Sequence, residues 1–236
     1  MKKIYKYLII ALAVLAIVVI ALISRPKEVG TLNSPLAGTG INEARAQSFS
    51  CAKCPVLGED DKVFGSAVAP LKIFVYEDYT NILSAKLADT LDQIRAESGD
   101  KLALIIRPYF KNSSLADQAQ TAVDCAGEQG KWVEMRALLF AQAKNKQLSA
   151  GSFSAYAEQI SLNAGDFTSC LTKNQKSVKI EQLIQEAETY KVQGTPTMFV
   201  GEEVILGARP YEDFTDSNND KIEGLKTLVE RILKNY

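Results

Sequence analysis

The sequence predicts an α/β domain behind an apolar N-terminal segment, and three observations carry that expectation. An unbroken apolar run extends from Leu8 to Ile23. Strand-like, helical and again strand-like patterns follow one another between Leu71 and Ile106. A short hairpin pattern and an amphipathic helix then close the chain.

Lys2, Lys3 and Lys6 precede the apolar run, and Ser24 and Arg25 end it. Sixteen helical residues span about 24 Å, a little short of a bilayer core, and Tyr5 and Tyr7 are placed to sit at headgroup level. The expectation is a transmembrane anchor at 8–23 with residues 1–7 cytoplasmic and everything after Arg25 extracytoplasmic. A cleaved signal peptide is the rival, but Ala44-Arg45-Ala46, the nearest small-x-small site, stands too far downstream. Residues 24–62 are rich in Pro, Gly, Ser, Asn and Ala, lack sustained periodicity, and read as a tether containing Cys51 and Cys54.

The globular pattern occupies 63–236. Leu71 to Tyr76 is a strand, and Ile82 to Ala96 a helix with Leu83, Leu87, Leu91 and Ile94 on one side. Ser98-Gly99-Asp100 breaks it, and Leu102 to Ile106 is an apolar strand of the kind buried on both faces, suggesting a βαβ unit with parallel strands. A helical stretch, about 114–190, is interrupted near Ser149-Ala150-Gly151 and Asn163-Ala164-Gly165. Thr197 to Val200 and Glu203 to Leu206 form a hairpin around Gly201-Glu202. Lys221 to Leu233 is the last helix, with Asp216-Ser217-Asn218-Asn219-Asp220 as the polar turn before it. Trp132 and Phe140 are core residues. No internal repeat is visible.

With a net charge of −1 and no long basic block, nucleic acid is not an expected partner. Histidine is absent, which removes Ser-His-Asp and Cys-His catalysis, histidine-ligated zinc and C-x-x-C-H haem attachment. No cofactor and no complete metal site is indicated.

Three stretches resemble the DsbA-like thioredoxin-fold family, whose members are thiol–disulfide oxidoreductases. They are Gly65 to Tyr79, Cys125 to Trp132 continuing through Leu139-Phe140, and Val192 to Val200 followed by Gly207 to Phe214. The resemblance implies a thioredoxin-like fold with a helical insert. It also implies that Pro196 is cis and faces the active site, where backbone at Thr195 and Pro196 pairs with an extended polypeptide. A strand-initiating proline with no ligand role is the plainer alternative.

The resemblance further places a C-x-x-C just after Asp78-Tyr79, at the start of the first helix, where the helix N-terminus would stabilise a thiolate. Asn81 and Ser84 stand at those two positions, so the usual thiol exchange is excluded there, and Asn81 reads as a helix cap. Cys125 and Cys170, both in the insert, are expected to form a structural disulfide; free or exchangeable thiols are the alternative. Cys51-Ala52-Lys53-Cys54 has the spacing of a catalytic dithiol, of an inert local disulfide, or of half a zinc site. Glu77-Asp78 reads either as an acidic pair in the vacant site or, more simply, as two solvated carboxylates.

Two functions follow. One is thiol–disulfide exchange through Cys51 and Cys54 with a redox partner protein. The other is a redox-silent module that binds unfolded or extended polypeptides.

Overall fold

The computed structural model describes residues 48–173 and 178–236. The expected anchor at 8–23 lies outside them. Among the described residues no helix is long and apolar enough to cross a membrane.

A six-stranded sheet in the order β1-β6-β5-β3-β4-β2 forms the centre. β3 (Leu71–Glu77) and β4 (Leu102–Pro108) run parallel, joined through helix α1 (Ile82–Ser98). β5 (Thr197–Val200) pairs antiparallel with β3 and turns through Gly201 into β6 (Glu203–Leu206). Gly201 has φ +60°, the left-handed conformation that a two-residue hairpin turn demands. Two short strands complete the margins: β1 (Ser48–Ser50) lies antiparallel to β6 and β2 (Lys62–Phe64) antiparallel to β4.

Alternation along the strands decides what each face buries. Leu71, Ile73 and Val75 point to one side, where they meet Leu87, Leu91 and Ile94 of α1 and Leu225, Leu228 and Val229 of the last helix, α7 (Leu225–Leu233). Phe74 and Tyr76 point to the other, with Phe199, Tyr190 and Val192. Each fully buried Leu or Ile contributes about 1.5–3 kcal/mol.

Between β4 and β5 the chain forms α2 (Ser114–Glu128), α3 (Trp132–Lys144), α4 (Phe153–Gln159), α5 (Ala164–Lys173) and α6 (Val178–Thr189). The first four share a core of their own with Tyr79, Ala85 and Ala88. Cys125 and Cys170 are disulfide-bonded inside it, 45 residues apart. In the chain-entropy description such a loop is worth about 4 kcal/mol, against about 2 kcal/mol for a bridge three residues long.

Three expectations are corrected. The tether ends earlier than residue 62: residues 48–50 and 62–64 belong to the sheet, and the stretch between them is tied down by Arg107, whose guanidinium grips Asp61 with two 2.7 Å bonds and the Val56 carbonyl with a third. The last helix begins at Leu225, because Lys221–Ile222 forms a small antiparallel pair (β8) with Phe214–Thr215 (β7). Gly224 then presses so close to Glu212 that any Cβ would lie 2.2 Å from its carbonyl carbon. Finally, the helical stretch has a further break at Gly130, φ +74°, which separates α2 from α3.

Candidate functional site

The start of α1 and the loop before β5 meet at the C-terminal end of β3. Asn81 caps α1: its side-chain oxygen accepts from the backbone N–H groups of Leu83 at 2.7 Å and Ser84 at 3.4 Å. The amide nitrogen of the same side chain donates to the Thr195 carbonyl at 3.1 Å and lies 3.4 Å from the Thr195 hydroxyl. The Thr195–Pro196 peptide bond is cis. Ser84 is 1% exposed, and its hydroxyl accepts from the Asp78 N–H at 3.3 Å. The hydroxyl's bonded partner is a backbone N–H and not a general base, so this contact does not activate Ser84 as a nucleophile. Ile82, between the two, is 40% exposed and gives the rim an apolar surface.

Next to this junction lies a buried ion pair. Glu77, at the end of β3, accepts from Arg136 of α3 in a two-pronged bond of 2.7 and 2.9 Å, both side chains being 1% exposed. Glu77 is therefore not the solvated carboxylate expected of a strand end. Burial pushes its carboxyl above the ordinary carboxylate range, and the Arg136 guanidinium opposes that rise. Asp78 is used locally, its carboxylate accepting at 2.7 Å from both the N–H and the hydroxyl of Thr80.

Cys51, joined to Cys54 in a disulfide, lies at the other end of the sheet. The Cys51 N–H donates to the Glu202 carbonyl at 2.8 Å, continuing the β1–β6 ladder to the hairpin turn. Pro196 lies beyond the opposite end of β5, whose four residues cover about 13 Å. The cleft thus unites Asn81, Ser84, Thr195 and Pro196, and Cys51 stands apart from them.

Sequence reasoning missed the burial of Arg136 and Arg107, although each left a signal. Arg136 falls at helical spacing with Trp132, Met135, Leu139 and Phe140, on the apolar stripe of α3. Arg107 shares parity with Ile105, which directs it to a buried sheet face. A charged group in either position needs a carboxylate partner.

Residues 58–218 match the family model described as Thioredoxin. The chain belongs to the thioredoxin family. Its fold is that of DsbA-like members. The thiol-disulfide exchange protein alpha-DsbA2 of Wolbachia pipientis superposes with a TM-score of 0.59, covering 75% of this chain and 87% of its own, at 16% identity. BdbD of Bacillus subtilis, in its oxidised form, gives 0.59 over 74% and 93% at 17% identity. In sequence, this thioredoxin-family chain is 29% identical over 150 residues to a protein named Na(+)/H(+) antiporter NhaA 1 from Mycobacterium sp. (strain KMS), covering 62% of the chain and 24% of that protein. A protein of the same name from Salinispora arenicola is 27% identical over 152 residues, with 62% and 22% covered. The chain spans about a quarter of the length of these curated relatives.

Proposed function

We propose that this thioredoxin-family chain is a membrane-anchored, extracytoplasmic protein that binds extended polypeptide in the cleft between α1 and the Thr195–Pro196 loop, without thiol chemistry there. The observation that carries the reading is Asn81: it spends one end of its amide on the helix N–H groups and the other on Thr195, where a redox member would keep a thiol. The cleft retains what a peptide needs, namely loop backbone beside an exposed apolar side chain, Ile82. Ser84, buried and bonded to backbone, adds no reactive group.

The test is binding of a labelled, extended apolar peptide to the full chain in detergent, followed by fluorescence anisotropy. Ile82→Asp is expected to weaken binding by about tenfold, or ~1.4 kcal/mol, with the melting temperature unchanged. Equal affinity in parent and variant would sink the proposal.

The anchor reading rests on Leu8 to Ile23 and its flanking lysines, and long relatives named as antiporters supply a membrane context. Expressed in a bacterium, the full chain is expected to stay in the membrane pellet after alkaline carbonate washing. A chain lacking residues 8–23 is expected in the supernatant. Carbonate extraction of the full chain would contradict the anchor.

A further inference from the structure

We infer that Cys51–Cys54 is a second functional site, a disulfide that exchanges electrons with a protein dithiol at the end of the sheet away from the peptide cleft. The two disulfides differ in circumstance. Cys125 and Cys170 are 1% and 7% exposed within the helical insert, whereas Cys51 and Cys54 are both partly open to solvent. A sulfur must be reached in line by an incoming thiolate, so the less buried pair is the better placed to meet a bulky partner.

The segment that bears the pair is held in place without it. Upstream, Ser48–Ser50 is laddered to β6 and the Cys51 N–H is bonded to Glu202. Downstream, Arg107 holds the Val56 carbonyl and both Asp61 carboxylate oxygens at 2.7 Å, and donates to the Tyr76 hydroxyl at 3.2 Å. The bridge spans three residues between these clamps, so opening it leaves the backbone path intact. Both redox states therefore fit one fold, which is what repeated turnover requires. Lys53, between the cysteines, rests its ammonium 5.1 Å above the Tyr190 ring, in the cluster against which Cys51 packs. Lying between the two cysteines in sequence, Lys53 adds positive charge to the segment that would carry the thiolate released on opening.

The exchange balances without further reagents. A thiolate of the partner attacks one sulfur of the Cys51–Cys54 bond; that bond breaks, a mixed disulfide forms, and the other cysteine leaves as thiolate. The partner's second thiol then displaces the mixed disulfide. Two electrons and two protons pass to Cys51 and Cys54, and the partner dithiol becomes a disulfide.

The test uses the full chain in detergent with reduced thioredoxin as the probe dithiol, timed alkylation and mass spectrometry of each cysteine pair. Cys51–Cys54 is expected to open at least about tenfold faster than Cys125–Cys170, and a thioredoxin whose second thiol is replaced by serine to stay trapped on the parent chain as a mixed disulfide with Cys51 or Cys54. Cys51→Ser/Cys54→Ser is expected to keep the parent's melting temperature within a few degrees, showing that the bridge is not a structural staple. Opening no faster than the buried pair, absence of a mixed disulfide with the single-thiol thioredoxin, or collapse of the double serine variant would each overturn the inference.

Discussion

Replacing Arg136 with methionine is expected to destabilise the fold by about 3–5 kcal/mol at neutral pH, because it strands a buried carboxylate. Glu77 would keep its place at the end of β3 with no counter-charge, since both members of the pair are 1% exposed. Asp92, 3.7 Å from the guanidinium, is another acid and brings no relief. The deficit should also depend on pH, with a definite sign. Burial already raises the Glu77 carboxyl, and Arg136 is what opposes it. Without Arg136 the folded protein holds a proton on Glu77 at a pH where the unfolded chain has released it. A folded state that binds more protons loses stability as pH rises, so the deficit should shrink between about pH 8 and about pH 5. Urea unfolding of parent and variant across that range provides the measurement. The double variant Glu77→Gln/Arg136→Met should lose less than the sum of the single changes. A loss below about 1 kcal/mol, the same at both ends of the range, would show that the pair is not the clamp described.

Converting Asn81 and Ser84 to cysteine together is expected to create thiol–disulfide activity where the parent cleft has none. The two positions are the cap and the third residue of α1, the i and i+3 spacing that brings Cα atoms within disulfide reach. The first would meet the free N–H groups of the helix, which favour a thiolate, and the second is buried like Ser84. Made in the Cys51→Ser/Cys54→Ser background, Asn81→Cys/Ser84→Cys reports on the new pair alone. Insulin reduction should rise at least about tenfold above that background, while loss of the asparagine cap costs about 1 kcal/mol. A chain that folds but shows no increase would mean that the cleft is not shaped for the chemistry of its relatives.

The elements that were legible in the sequence are those with enough residues to show a period. Leu71 to Tyr76, Leu102 to Ile106, the hairpin around Gly201-Glu202 and the apolar side of α1 all reappear as strands or helix. β1 was not legible: Ser48-Phe49-Ser50 is too short for alternation to register, and its place is set by a ladder to residues far along the chain. Ile222 fits the helical spacing of α7, yet pairing with Phe214 and the contact at Gly224 hold it out of the helix. In the cleft, Asn81 as a cap could be read locally. Its second bond, to Thr195, could not, because 114 residues separate the partners. Glu77 and Arg136, 59 residues apart, were hidden for the same reason.

The two outermost pieces of the domain have a practical consequence for anyone isolating it. The family match begins at residue 58 and stops at 218, whereas β1 lies before that span and α7 after it. A fragment trimmed to those limits would leave the outer hydrogen-bonding groups of β6 unpaired, an invitation to edge-to-edge aggregation. It would also uncover the aliphatic patch that Leu225, Leu228, Val229 and Ile232 now shelter. Poor solubility of such a fragment would reflect where it was cut.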